Sequence, residues 1–207
     1  MRARRIRRAR LALGAGALAI LGADIAVTID AEGRIDLGDW AAQFTILSVA
    51  LVALVLIIAA ALRREPRGWV HVRAAGVTAI GVAAVLHATL LGGRPGASGD
   101  LVNAGLHLVV PALTLIEWML VRSRDRVRWF TPLLGLVFPA VYLAATLVRG
   151  SIVDRYPYDF VDPTDPAGYR GLVQSLSTVL VAFLAVGAVV ALIGLVRDRF
   201  ATWRRER

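Results

Sequence analysis

Six long blocks of apolar residues dominate the sequence, and short polar connections separate them. The blocks cover residues 11–29, 42–62, 70–91, 101–121, 130–148 and 171–196. An α-helix of about 20 apolar residues crosses the hydrocarbon core of a bilayer. The pattern therefore predicts an all-α polytopic membrane protein, with one domain over residues 1–207 built as a bundle of six transmembrane helices. We expect the first block to be a retained helix rather than a cleaved signal peptide, because it is long and lacks a small-x-small cleavage site.

The composition excludes several other classes of protein. The chain is 57% hydrophobic and 19% charged, whereas a soluble domain is about 45–50% apolar and about 25% charged. A soluble globular domain and a disordered chain are therefore excluded, and apolar blocks of this length are not the short alternating segments of a β-barrel. There is no cysteine, so disulfides and cysteine-ligated metal centres are excluded.

The charges alternate along the chain in a way that predicts its orientation. The N-terminal segment, the second and fourth connections and the C-terminal tail are each net positive, while the first and fifth connections are net negative and the third is neutral. By the positive-inside rule both termini are expected to be cytoplasmic. The net charge of +9 then reflects topology and anionic lipid, so no nucleic-acid partner is expected. All 24 basic residues are Arg, which favours a GC-rich bacterium and its cytoplasmic membrane.

This topology brings polar side chains from several helices to one depth near the outer surface. The clearest candidates are Asp24, Thr45, His87, Asn103 and His107. Ionisable residues in membrane helices usually face the bundle interior or a wet cavity, so we expect one polar pocket open towards the outer leaflet. A structural interpretation stays open, because helix ends are wet and Ser or Thr often bonds a carbonyl of its own helix.

His107 is the strongest single candidate for a functional role. It follows Asn103 by four residues on the same helix face and precedes Pro111 by four. Proline has no N–H to donate, so the helix is expected to open beside His107. Glu117 lies about 15 Å further along the same helix. It is expected to pair with Arg122 or Arg124, or to be a structural buried acid.

Three segments resemble the androgen-induced-gene family. Residues 101–118 read LVNAGLHLVVPALTLIEW, similar to the family's N-x-x-x-H-x-x-x-P-x-x-x-L-I-E stretch. Residues 39–48, DWAAQFTILS, are similar to its W-K-F-L-T segment, and RYPYDF at 155–160 resembles its V-Y-P-F-L. The animal members are integral-membrane hydrolases of fatty-acid esters of hydroxy fatty acids. The resemblance runs from Trp40 to about Phe160 and implies a six-helix bacterial member.

The resemblance implies that Thr45 is the nucleophile and that His107 is its partner. A threonine hydroxyl needs a base to accept its proton, and neutral histidine serves at physiological pH. Asn103, or main-chain donors freed around Pro111, could bind the oxyanion, and Asp24 could orient the imidazole. The chain departs from the family at Ala104, where a second His is common, and at residues 46–48.

The external loop from Arg149 to Gly171 carries four residues of interfacial or apolar type, Tyr156, Pro157, Tyr158 and Phe160. We expect them to fold over the pocket as a lid that contributes to substrate binding, with an ordinary aromatic belt as the alternative.

The favoured function is therefore a membrane threonine hydrolase of lipid-like esters, without a metal or cofactor. Two alternatives remain open. One is a non-catalytic binder or transporter of a small amphiphile that uses the same pocket. The other is a b-type haem protein with His87 and His107 as axial ligands.

Overall fold

The computed structural model describes residues 2–62, 64–89, 99–164 and 168–203. Its regular secondary structure is helical throughout these residues, with no β-strand among them. In chain order the described elements are α1 (Arg2–Glu32), α2 (Leu37–Ala41), α3 (Phe44–Ala61), α4 (Trp69–Thr89), α5 (Gly99–Ala104), a π-helical turn (Gly105–Val109), α6 (Val110–Leu120), α7 (Thr131–Gly135), α8 (Val137–Val153), a 3₁₀ turn (Asp159–Val161) and α9 (Gly168–Trp203).

Six segments are long and apolar enough to cross a membrane, which confirms the predicted architecture. They are Ala3–Glu32, Phe44–Ala61, Trp69–Thr89, Gly99–Leu120, Thr131–Val153 and Arg170–Phe200. The first helix begins earlier than the hydropathy predicts because arginine is a good helix former although it is not apolar. The predicted end of the third block, residues 90–91, lies outside the described residues.

The fourth span is built from three consecutive elements rather than one regular helix. The N–H of Val110 bonds the carbonyl of Gly105, five residues back, and closes the π-helical turn. Pro111 follows at once and has no N–H to continue the α-helical ladder. The opening predicted beside His107 is therefore present as this π-helical turn, a feature that is frequent at functional sites.

Helix α3 lies at the centre of the bundle, between α1 and α4. Its inward residues, among them Val49, Val52 and Ala53, form one core cluster with residues of α1, α4 and α6. The outward faces of α8 and α9 are apolar and exposed, as at Val141 and Val181, which suits contact with lipid. Because α3 is central, a side chain on its first turn is enclosed by neighbouring helices.

The bundle has two ends, which we name after a residue at each. The Thr45 end contains the start of α3 and the ends of α1 and α4. The Arg73 end contains the start of α4 and the end of α6, together with a buried ion network. In that network Glu117 accepts hydrogen bonds from Arg10 Nε and Arg73 Nη2, each at 2.7 Å, and Arg10 also pairs with Glu65 at 2.8 Å.

Of the two expectations for Glu117, the pairing with Arg122 or Arg124 is wrong, whereas the acid is buried as the other expectation has it. Glu117 faces the bundle interior, where it meets two buried guanidinium groups from α1 and α4. Arg122 follows the end of α6 and lies beside Asp198 instead, at 3.6 Å. A buried carboxylate is tolerated when charged donors of this kind satisfy it. Glu117 is thus a member of the network at the Arg73 end, remote from the Thr45 end.

Candidate functional site

Thr45 and His107 are in direct contact at the Thr45 end. Thr45 is the second residue of α3, and its Oγ1 lies 3.2 Å from Nε2 of His107 in the π-helical turn. The two residues that the resemblance pairs are therefore within hydrogen-bond distance of each other. Thr45 is only 8% exposed, so it faces its protein neighbours and not lipid.

The other ring nitrogen of His107 fixes which tautomer faces Thr45. Nδ1 lies 3.2 Å from the main-chain oxygen of Asn103. A carbonyl oxygen can only accept, so the neutral imidazole must carry its proton on Nδ1. Nε2 is then unprotonated, and the Thr45 hydroxyl donates to it. This is the arrangement that a general base for Thr45 requires.

Asn103 contacts both histidines of the site. Its side-chain Nδ2 lies 3.3 Å from Nε2 of His87, while its carbonyl accepts from His107. The amide is therefore engaged with His87 rather than free for the oxyanion role predicted for it. His87 stacks on His107, with ring centroids 3.7 Å apart and an interplanar angle of 15°.

The stacking contradicts the haem interpretation. Two axial histidines must bind the iron from opposite faces of the porphyrin, whereas rings 3.7 Å apart leave no room for a macrocycle between them.

Asp24 lies close to the pair but does not touch the imidazole. Its Oδ2 accepts a hydrogen bond from Trp40 Nε1 at 2.6 Å, and its buried Oδ1 has no partner among the described residues. Asp24 interacts with His107 electrostatically. The orienting contact predicted for this carboxylate is made instead by the carbonyl of Asn103, because the side chain of His107 folds back along its own helix.

A cavity of about 400 Å³ opens beside Thr45 and His87. It lies between α3, α4, α8, α9 and the 3₁₀ turn, and most of its wall is aliphatic or aromatic. The polar residues of the wall are Thr45, His87, Tyr142 and Tyr158. The sequence predicts a polar pocket here, whereas the structure has an apolar cavity with polar residues near Thr45. On α9, Ser177 donates to the carbonyl of Val173 in its own helix at 2.7 Å.

The loop between α8 and α9 closes one side of this cavity. Tyr158 and Phe160 line it, and the Tyr158 hydroxyl accepts a hydrogen bond from the N–H of Phe44 at 3.0 Å. Tyr156 packs beside Gly150 instead, since a Cβ at position 150 would lie 2.1 Å from its ring. The sequence predicts one lid for all of these aromatic residues. In the fold, Tyr158 contacts α3, whereas Tyr156 packs on α8.

No protein-family model matches this chain, and no curated protein or solved structure shows significant similarity to it. The resemblance to the androgen-induced-gene family therefore depends on the short motifs alone. Function has to be argued from the geometry of the site.

Proposed function

We propose that the protein is an integral-membrane hydrolase of lipid-like esters, with Thr45 as nucleophile and His107 as general base. The observation that carries this proposal is the 3.2 Å contact between Thr45 Oγ1 and His107 Nε2, with His107 Nδ1 bound to the carbonyl of Asn103. A hydroxyl bonded to a base that a third group orients is the general signature of an activated nucleophile.

In this reaction the Thr45 oxygen attacks the ester carbonyl while its proton passes to Nε2 of His107. The imidazolium then protonates the leaving alcohol, and an acyl group remains on Thr45. Water then attacks the acyl carbon and gives a proton to His107. The bond between the acyl carbon and Thr45 Oγ1 breaks, His107 returns the proton to Thr45, and the carboxylic acid leaves. Throughout, the carbonyl of Asn103 holds the ring in place and stabilises the charge on His107.

The cavity supports a substrate with a long apolar part. Apart from Thr45, His87 and the hydroxyls of two tyrosines, its wall is apolar. An acyl chain would lie along this wall, with the ester beside Thr45. Its volume of about 400 Å³ is in the range of small-molecule sites. The substrate would enter from the outer leaflet, because the charge pattern favours a Thr45 end on the external side of a bacterial cytoplasmic membrane.

The test is hydrolysis of a fluorogenic acyl ester by purified protein in lipid nanodiscs. Thr45→Ala and His107→Ala should each lower kcat by about 10⁴-fold, since removing one member of a cooperative pair costs nearly as much as removing both. A fluorophosphonate probe should label the wild-type protein and leave Thr45→Ala unlabelled.

Two controls separate catalysis from folding. Thr45→Ser keeps a hydroxyl at the same position and should retain labelling. Thr78→Ala removes another buried threonine, on α4, and should leave turnover at the wild-type level. Wild-type hydrolysis by Thr45→Ala would exclude the proposal.

The apolar cavity also favours the second function, binding or transport of a small amphiphile without turnover. Its wall would hold an acyl chain whether or not Thr45 reacts. A fluorescent fatty acid that binds the wild-type protein and Thr45→Ala equally, in a protein that hydrolyses no ester, would favour this alternative.

A further inference from the structure

We propose that the Tyr158 hydroxyl donates a hydrogen bond to the oxyanion formed when Thr45 attacks an ester carbonyl. This inference depends on the proposed hydrolase function and adds a catalytic residue to it. The oxyanion of a tetrahedral intermediate needs at least one donor close to the nucleophile. Asn103, the side chain first expected there, is engaged with His87.

A comparison of the polar residues that line the cavity singles out Tyr158. Thr45 is the nucleophile, and His87 uses Nε2 to bond Asn103. The hydroxyl of Tyr142 donates its proton to the carbonyl of Ala42 at 2.9 Å. The oxygen of Tyr158, in contrast, accepts from the N–H of Phe44, so its own proton is not used in that bond.

The hydroxyl of Tyr158 also lies beside the nucleophile. It interacts with both the main-chain N–H and the side chain of Thr45. The carbonyl oxygen of an ester under attack by Thr45 Oγ1 would occupy this same neighbourhood. The Tyr158 proton, which the bond from Phe44 does not use, can therefore turn to the developing oxyanion.

The start of α3 makes Tyr158 a stronger donor than an ordinary tyrosine. Gln43, at the N-cap, forms no side-chain cap, so the Tyr158 oxygen takes the place of a capping group for the first-turn N–H groups. Accepting from these groups, at the positive end of the helix dipole, polarises its O–H bond. Burial raises the pKa of Tyr158, which keeps the hydroxyl protonated at neutral pH.

The step balances without a further reactant. The Thr45 oxygen forms a bond to the carbonyl carbon, its proton moves to His107, and the π electrons of the carbonyl move to its oxygen. Tyr158 keeps its proton and shares it in a hydrogen bond with that oxygen. When the intermediate collapses, the carbonyl π bond re-forms, the C–O bond to the alcohol breaks, and the alcohol oxygen takes the proton from His107.

Tyr158→Phe and Tyr142→Phe form a matched pair for the test. Each variant keeps the ring in the cavity wall and loses one hydrogen bond to the chain around the start of α3. Tyr158→Phe should lower kcat by about 10²–10³-fold with little change in KM, as expected for loss of an oxyanion donor. Tyr142→Phe loses a bond to the carbonyl of Ala42 instead, so its loss of kcat should be at least about tenfold smaller than that of Tyr158→Phe. Equal losses in both variants would overturn the proposal by indicating a structural role.

O-methyltyrosine at position 158 tests the proton itself. It keeps the oxygen that accepts from Phe44 and replaces the donor proton with a methyl group, and thermal unfolding of this variant checks that the methyl group is accommodated. The same loss of kcat is expected, and wild-type turnover by this variant or by Tyr158→Phe would overturn the role of Tyr158. If the Tyr158 variants keep wild-type turnover but Thr45→Ala hydrolyses no ester, the role of Tyr158 fails and the proposed hydrolase function stands. If Thr45→Ala is fully active, that function fails as well.

Discussion

At the scale of single residues, the main chain orients His107, the proposed base of this site. The carbonyl of Asn103 accepts from His107 Nδ1, where a catalytic triad would use a carboxylate. A carbonyl carries no full charge, but it fixes the tautomer just as a carboxylate does. One carboxylate oxygen of the nearby acid, Asp24, accepts a hydrogen bond from the indole N–H of Trp40 instead.

Asp24→Asn should therefore have a small effect on catalysis. The amide oxygen can still accept from Trp40, and the contact between His107 and Asn103 is untouched, so kcat should stay within about tenfold of the wild-type value. Loss of the acid in a serine-protease triad costs about 10⁴-fold. Steady-state ester hydrolysis measures the difference, and a loss near that size would mean that Asp24 orients His107 during turnover.

At the scale of elements, hydropathy predicts the six spans because the bilayer imposes one length on all of them. The π-helical turn in the fourth span can also be anticipated from the sequence, because Pro111 has no N–H to donate to the carbonyl of residue 107. Contacts between helices do not follow from hydropathy. Glu117 binds Arg10, 107 positions away, and Tyr158 reaches Phe44, 114 positions away. Both contacts depend on which helices are neighbours, and no periodicity encodes that.

The contact between α1 and α3 provides a prediction about packing. A Cβ at Gly14 would lie 2.6 Å from Cγ1 of Ile57 and 3.0 Å from the carbonyl oxygen of Ala53. Gly14→Ala should destabilise the protein by about 1–3 kcal/mol, as overpacking of a tight interface does. Thermal unfolding of the purified protein in detergent measures the change.

Gly16 is the matched control, because nothing lies within 4 Å of a Cβ at that position. Gly16→Ala should be neutral or stabilising by up to about 1 kcal/mol, since alanine is the better helix former. A lower unfolding temperature for Gly16→Ala than for Gly14→Ala would show that α1 does not pack on α3 through Gly14.

At the scale of the whole molecule, charge separates the two ends of the bundle. Most exposed arginines lie at the Arg73 end, namely Arg4, Arg5, Arg7, Arg8, Arg64, Arg67, Arg124, Arg126, Arg128 and Arg199. Three exposed arginines, Arg34, Arg155 and Arg170, lie at the Thr45 end. Exposed acids gather at the Thr45 end, namely Asp30, Glu32, Asp36, Asp154 and Asp159. Arginine near the ends of membrane helices favours the cytoplasmic side. The proposed catalytic site would then face the outside of the cell, and the proposed lipid-like substrate would enter from the outer leaflet.

Single cysteines test this orientation cleanly, because the chain has none of its own. Ala31→Cys lies at the end of α1, Arg67→Cys lies between α3 and α4, and both positions are exposed. A membrane-impermeant maleimide should label position 31 in intact cells and position 67 only after permeabilisation, since the bilayer shields the cytoplasmic end. Labelling of position 67 alone in intact cells would show that the protein has the opposite orientation. The proposed hydrolase would then draw its substrate from the inner leaflet, with the contacts between Thr45, His107 and Tyr158 unchanged.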